Sequence, residues 1–435
     1  MTFTEEQILS LAPDDSSKKS GKELANLSKW IKFEQSENAI WGECKGSGKL
    51  PYQTQVDLKN IAFKCTCPSR KFPCKHGLGL SLLFSRDSKS FQITTEPDWV
   101  SNWLEKRNER EEKKEEKKVK QEIDPVAQAK RQENRFKRIE DGSEDLKRWI
   151  KDIVRNGLLT LPAKEPGYFE TMARRMVDAQ APGLAGMVRS LGEINFYREG
   201  WQTPFLDQIS RIFLVLHGLS RMDELPTDMQ EEIKTQIGFL QNQETLKAED
   251  GLRDHWFVLA KNIEKEDNLT IEQNWLYGCQ SNRFALFLQF YVRSQLPEIN
   301  LMPGTFIDAA VVYYKGSNSI RALIKDHHVI QKNDVLTGIP SFHAVAEVIS
   351  KQISVNPFLS QFPVIIDDVY LVQRGDQWLL KDSLGNGVAI SPKFKSIWNM
   401  LALSGGKKLK VFAIGKENEY EPIGVWIDNH YKVLQ

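Results

Sequence analysis

The spacing of hydrophobic positions changes several times along this chain, and each change marks a different kind of element. At the start, Ile8, Leu9 and Leu11 within Thr4–Ala12 predict a short helix N-capped by Thr4 and stopped near Pro13. A second helix is predicted over Gly21–Trp30, with Leu24, Leu27 and Trp30 or Ile31 on one face. The period then falls to two. Ala39–Cys44 and Tyr52–Leu58 read as strands joined at Gly46-Ser47-Gly48, and Ile61–Cys65 as a third extended piece. The apolar run Leu78–Phe84 predicts a short buried helix.

From Glu144 to about Gln295 the three-to-four spacing of helices returns, in Leu146, Trp149, Ile150 and Ile153 and again in Phe205, Ile209, Ile212, Phe213 and Leu216. Trp256, Leu259 and Ile263, then Ala285, Leu286, Leu288 and Phe290, extend the same reading. Breaks at Pro182-Gly183, Thr203-Pro204 and Leu225-Pro226 predict short packed helices without a fixed repeat. Beyond about Asn300 strands are predicted at Ile307–Tyr314, Val369–Arg374, Gln377–Lys381, Lys410–Gly415 and Ile423–Ile427, with helices near Phe342–Gln352 and Lys393–Leu403.

The fold class expected is therefore α+β, in four parts. A small N-terminal module with its supporting hairpin occupies 1–100, a charged linker helix 101–142, an α-helical domain 143–300 and an α+β domain 301–435. The linker rests on Glu105–Lys120, where Glu alternates with Lys and Arg without an apolar stripe; pairs such as Glu109 with Lys113 and Glu116 with Lys120 suit a solvated helix.

One stretch is far denser in chemistry than the rest. Phe63–His76 holds Cys65, Cys67, Cys74 and His76, three of the five cysteines and one of the seven histidines. Side chains at i and i+2 of an extended segment share a face, so Cys65 and Cys67 present two thiolates together. Pro68 and Pro73 restrict the gap, and Cys74 and His76 stand where the apolar helix begins. Two ligands from a strand end and two from a helix start make a closed Cys3His cage, which suits one structural zinc ion with no open position for water. Cys44 and Cys279 are left over as inert singletons.

The C-x-C, six-residue gap, C-x-H pattern resembles the SWIM zinc finger, and Cys67–Gly77 is similar to its stand-alone bacterial members. Met172–Ala185 resembles the helical region that follows the finger in those proteins. The resemblance implies a ββα zinc fold that binds protein or DNA and has no active site. It also implies a protein partner, such as a MoxR-type ATPase system with its von Willebrand-type companions.

Charge adds a second option. Formal net charge is +1, so the whole molecule has no bulk attraction for polyanions. Positions 45 to 75, however, carry seven basic residues against Asp57 alone, a local +6. One zinc with three thiolates leaves a −1 site that absorbs part of it. The remainder makes Lys45, Lys49, Arg70, Lys71 and Lys75 candidate contacts for nucleic-acid phosphate, or equally a solvated basic face.

Other motifs fail. Gly48-Lys49 is followed by Leu50, and position 43 is Glu where a P-loop needs Gly. His327-His328 and Asp367-Asp368 place neighbours on opposite faces of a strand and read as loop or edge-strand surface; His217 and His255 read as satisfied histidines. The expectation is a cytoplasmic, non-enzymatic zinc-binding adaptor, with nucleic-acid binding as the alternative and an unrecognised C-terminal active site last. Loss of the metal is expected to unfold the N-terminal module alone, the charged linker insulating the rest.

Overall fold

The computed structural model describes residues 3–46, 50–59, 61–69, 71–107, 125–165, 167–266, 269–292, 297–332, 334–416 and 418–434, without the side chains of 125–132 and 265–266. The charged alternation at Glu109–Lys120 lies outside the described residues, as do Ser47, Gly48 and Lys49.

Helix α1 (Glu5–Ser10) starts at Thr4, the N-cap that its sequence predicts, and the structure adds a full capping box with Gln7. Helix α2 runs over Asp15–Leu24, capped by Asp14, so the helix expected at Gly21–Trp30 begins and ends earlier. The reason is local: Asp14 accepts from Ser17 N–H at 2.7 Å, and Trp30 already belongs to a strand that the reading missed, β1 (Trp30–Gln35). Strands β2 (Ala39–Cys44), β3 (Tyr52–Asp57) and β4 (Ala62–Cys65) follow as expected. With the short β5 (Gln92–Ile93) they form a sheet ordered β4-β3-β2-β1-β5. Helix α3 (Lys75–Arg86) is buried continuously from His76 to Phe84. Its close neighbour is α2: a Cβ added at Gly21 would sit 2.9 Å from the Leu78 Cβ, so only glycine lets the two helices approach this far.

The helical region is made of α4 (Pro125–Asn156), α5 (Tyr168–Asp178), α6 (Pro182–Gly192), α7 (Gln202–Leu219), α8 (Thr227–Ile237) and the short α9 (Gln243–Ala248). Leu146, Ile150, Met176, Leu184, Phe205 and Ile212 build its core. Ile139, which the sequence placed in the linker, is wholly buried in that core.

The helical expectation fails after α9. Residues Leu252 to Val292 form three long strands, β6 (Leu252–Glu266), β7 (Leu269–Gly278) and β8 (Phe284–Val292). With β9 (Phe306–Tyr313) and β10 (Arg321–Ile330) they close a barrel ordered β10-β8-β7-β6-β9. Only the β8–β10 pairing is parallel. That is the connectivity of a five-stranded Greek-key barrel of the oligonucleotide/oligosaccharide-binding (OB) type. The misreading has a physical cause. Trp256 and Val258 face the barrel interior, while Phe257, Leu259 and Ala260 are buried against the C-terminal sheet. Strands buried on both faces lose the polar alternation that identifies them.

The C-terminal sheet is ordered β13-β12-β11-β14-β15-β16, from β11 (Phe362–Arg374), β12 (Gln377–Lys381), β13 (Gly387–Ile390), β14 (Leu409–Lys416), β15 (Glu419–Ile427) and β16 (His430–Val433). Helices α10 (Phe342–Val355) and α11 (Ile397–Ser404) pack on it.

The N-terminal unit is not insulated from the rest. Ile40, Val56, Phe63 and Leu78 share one buried cluster with Leu276, Ile307 and Val329 of the barrel. Asn300 Nδ2 donates to the Ile61 carbonyl at 3.1 Å, and Gln7 Nε2 to the Gly304 carbonyl at 3.0 Å.

Inside the barrel, Glu272 has no solvent exposure. It is paired with Lys261 Nζ at 3.3 Å and accepts from Asn274 Nδ2, Gln289 Nε2 and the Tyr291 hydroxyl at 3.0, 3.1 and 3.1 Å. Removing one partner of a buried pair strands the other charge, at a cost of about 3–5 kcal/mol. Lys261→Met is therefore expected to destabilise the chain by about 3 kcal/mol or more. The double variant Lys261→Met/Glu272→Leu should recover part of that loss in urea denaturation.

Candidate metal centre

Each ligand is held by the end of an element. Cys65 closes β4, which pairs with β3 through Thr54↔Cys65, and Cys67 lies just past it. Cys74 is the N-cap of α3 and accepts from Gly77 N–H at 3.5 Å; His76 is in the first turn. The ligating atoms of Cys65, Cys67, Cys74 and His76 all lie within 4.8 Å of one another. A tetrahedral zinc with Zn–S of about 2.3 Å separates its ligands by roughly 3.6–3.8 Å. Cys65 Sγ and His76 Nδ1 stand 3.7 Å apart, which fits such an edge.

The surroundings support the same reading. Thr54 Oγ1 lies 3.2 Å from Cys65 Sγ, and Cys67 N–H donates to that sulfur at 3.5 Å. These outer contacts orient a thiolate as metal sites require. Tyr52 covers the His76 ring, with centroids 5.0 Å apart, and His76 is buried. A Cβ at Gly77 would meet Phe63 Cδ1 at 2.9 Å, so the residue after the histidine ligand must be small for α3 to seat against β4.

The thiols cannot ionise independently. Hydrogen bonding from Cys74, with His76 and Thr54, pulls Cys65 down to about 3, while the Cys65 hydrogen bond pushes Cys74 far above the usual thiol range. Burial raises Cys67. Three crowded sulfurs hold one negative charge readily; holding more calls for a cation at their centre. The donor set fits one zinc ion, held by these four residues with no fifth protein ligand from the described residues.

The basic candidates divide. Lys45, Lys71 and Lys75 are exposed, whereas Lys49 and Arg70 lie outside the described residues. Lys71 is already paired with Asp14 at 2.8 Å, and Lys45 Nζ donates to the Ser28 carbonyl at 3.3 Å. Cys44 is buried in β2, and burial pushes the Cys279 thiol up to about 11. His327 and His328 sit on β10, opposite Ala309 and Asp308 of β9. Asp367 and Asp368 are the bulged residues between Ile366 and Val369 and pair separately with Lys410 and Lys408, each at 3.3 Å, so no carboxylate dyad forms. His217 is exposed on α7, and His255 Nδ1 lies 2.8 Å from Lys332 Nζ.

Two family models match the chain: the SWIM zinc finger over residues 52–83 and the SWIM-associated four-helix bundle domain over residues 134–237. The first covers β3, β4 and the cage; the second covers most of α4 through α8. Together they fit a SWIM-type zinc finger protein. No curated protein matches. A solved structure described as "Molecular basis for abrogation of activation of pro-inflammatory cytokines" aligns at 14% identity over 42% of this chain and 93% of its own, with a TM-score of 0.18. That likeness carries no argument about the fold.

The shared core makes a definite prediction. Zinc contributes on the order of 10 kcal/mol to a small domain. Cys74→Ser is expected to abolish bound zinc and, through the common cluster, to lower hydrogen-exchange protection in β9 of the barrel as well as in β3. Protection lost in β3 alone would restore the insulated module that the sequence suggested.

Proposed function

We propose that the protein is a cytoplasmic, non-catalytic adaptor whose zinc finger presents a surface to a protein partner. The observation that carries this reading is the closed, largely buried cage: four protein ligands leave the ion no coordination position for substrate, so its role is to shape the surface around it. Two exposed apolar side chains stand at one end of the finger's sheet. Ile31 is 57% and Leu50 80% exposed, where the register Trp30↔Cys44↔Tyr52 brings the start of β1 beside the β2–β3 turn. Apolar side chains of this kind favour a protein surface over phosphate. A MoxR-type ATPase system is the partner class that the family resemblance suggests. No helix among the described residues is long and apolar enough to cross a membrane.

Nucleic-acid binding is the second reading, supported by the exposed Lys45 and Lys75. The Lys71–Asp14 pair weighs against it, because one of the five candidate cations is already neutralised within the chain.

The two readings separate by salt. Full-length protein purified without added metal is expected to carry one zinc and to retain a partner protein at about 0.5 M salt, where phosphate contacts are largely screened. Ile31→Asp with Leu50→Asp should keep the zinc and release that partner. Lys45→Ala with Lys75→Ala should leave it bound. Retention that collapses with salt and with the lysine variants, accompanied by binding of duplex or single-stranded DNA, would instead establish the nucleic-acid reading.

A further inference from the structure

A cleft of about 420 Å³ opens where the helical bundle, the barrel and the C-terminal sheet meet. Small-molecule sites have this size and favour such junctions. Its walls come from α8 and the residues after it, from the β9–β10 loop, and from the segment between α10 and β11. The loop is pinned in place. Gln241 Nε2 donates to the Lys315 carbonyl at 2.6 Å, while its Oε1 accepts from Lys315 N–H at 2.8 Å. Asn356, 1% exposed, donates to the Ser317 carbonyl at 2.7 Å. The walls are thus organised before any ligand arrives.

Three charged side chains line this cleft: Lys315 is paired with Glu249 at 2.9 Å, whereas Arg321 and Glu232 do not pair with one another. Arg321 Cζ lies over the Tyr314 ring, 4.5 Å from its centroid. Its Nε has no hydrogen-bond partner, and no carboxylate among the described residues pairs with the guanidinium. Glu232 is 8% exposed and held by Gln236 Nε2 at 2.8 Å and by the Asn356 side chain, again with no cation among the described residues. Burial raises its carboxyl above the usual range. A purely structural pair would be expected to close on itself, since an isolated buried charge is costly. An acid and a base held apart across a cleft leave their partners to come from outside.

The position of the cleft narrows the chemistry. The β9–β10 loop joins the fourth and fifth strands of an OB-type barrel, and in such barrels that connection helps to hold nucleotides and sugars. A guanidinium suits a phosphate, and a buried carboxyl beside a side-chain amide suits the amino-bearing edge of a base. We propose that this cleft binds a nucleoside monophosphate, free or as the end of a single strand, with Arg321 on the phosphate and Glu232 with Gln236 on the amino edge of the base. This site is separate from the zinc finger, and its failure would leave the adaptor reading untouched.

Isothermal titration of the zinc-loaded full chain tests it, using AMP, GMP, CMP, UMP, inorganic phosphate, and an octanucleotide with and without a 5′-phosphate. At least one of AMP, GMP and CMP is expected to saturate the protein, with UMP, which has no base amino group, about tenfold weaker or more. Arg321→Gln should weaken the preferred nucleotide about tenfold, roughly 1.4 kcal/mol. Glu232→Gln, close to isosteric, should narrow the gap to UMP, and it keeps the test decisive should Arg321→Gln melt early. Tighter binding of the phosphorylated octanucleotide would identify a strand end as the source; equal or weaker binding would identify the free nucleotide. Three results would each overturn the proposal: no saturation by any monophosphate below about 5 mM, equal binding of UMP and inorganic phosphate (an adventitious ion only), or affinity unchanged in both variants.

Discussion

Three thiols and an imidazole brought within 4.8 Å of one another constrain everything N-terminal to the bundle. Thiolates so close repel, and without a cation only one of them ionises easily. A zinc ion reverses the sign of that interaction and ties the end of β4 to the start of α3. The consequence extends beyond the cage because α3 is buried along its whole middle, with Leu78, Leu80 and Leu82 fully enclosed. A helix apolar on all sides needs partners on all sides. It finds them in α2, in the five-stranded sheet and in the core that the sheet shares with the barrel. The metal thus fixes the seat of a helix on which two sheets depend.

The barrel shows a second constraint at work. Barrels of this connectivity commonly present the outer face of their second and third strands to ligands. Here part of that face is covered: Trp275 of β7 and Phe284 of β8 pack against Phe412 of the C-terminal sheet, with centroids 6.4 and 6.1 Å apart. The outer surface at that end is used for docking the C-terminal domain, which leaves the β9–β10 loop beside an open cleft. The interior is equally committed. Glu272 has its carboxylate oxygens taken by a lysine, two amides and a hydroxyl, so it is part of the barrel's internal wiring rather than a free acid.

The sequence was most legible where one residue type can do the job. The four zinc ligands stand in a single stretch with Gly77 immediately after, and their spacing carries their chemistry; the N-cap at Thr4 is legible for the same reason. The barrel was not legible because stretches such as Trp256–Ala260 are buried on both faces, so Trp256, Leu259 and Ile263 happen to fall at helical spacing while lying in β6. Short elements escaped as well, β5 with two residues and β13 and β16 with four each, and β1 was hidden because it begins immediately after a 3-10 turn at Leu27–Lys29. The junction cleft could not be read at all. Glu232, Arg321 and Asn356 are separated by 89 and 35 positions (321 − 232 and 356 − 321), and nothing local to any of them announces the others.

The same comparison explains why a charged stretch was a poor guide to independence. A polar, like-for-like alternation of Glu and Lys predicts that the residues carrying it are solvated, and that inference concerns those residues alone. It says nothing about whether the segments on either side return to one another. In this chain they do: Gln7 reaches Gly304 across 297 positions and Ile61 reaches Asn300 across 239. Contacts of that separation accompany one buried apolar cluster that takes in residues of β2, β3 and α3 together with residues of β9 and β10, which no linear window contains. The finger is therefore better understood as one wall of a larger core than as a bead on a string. A change at the metal cage thus bears on a core that the finger shares with the barrel.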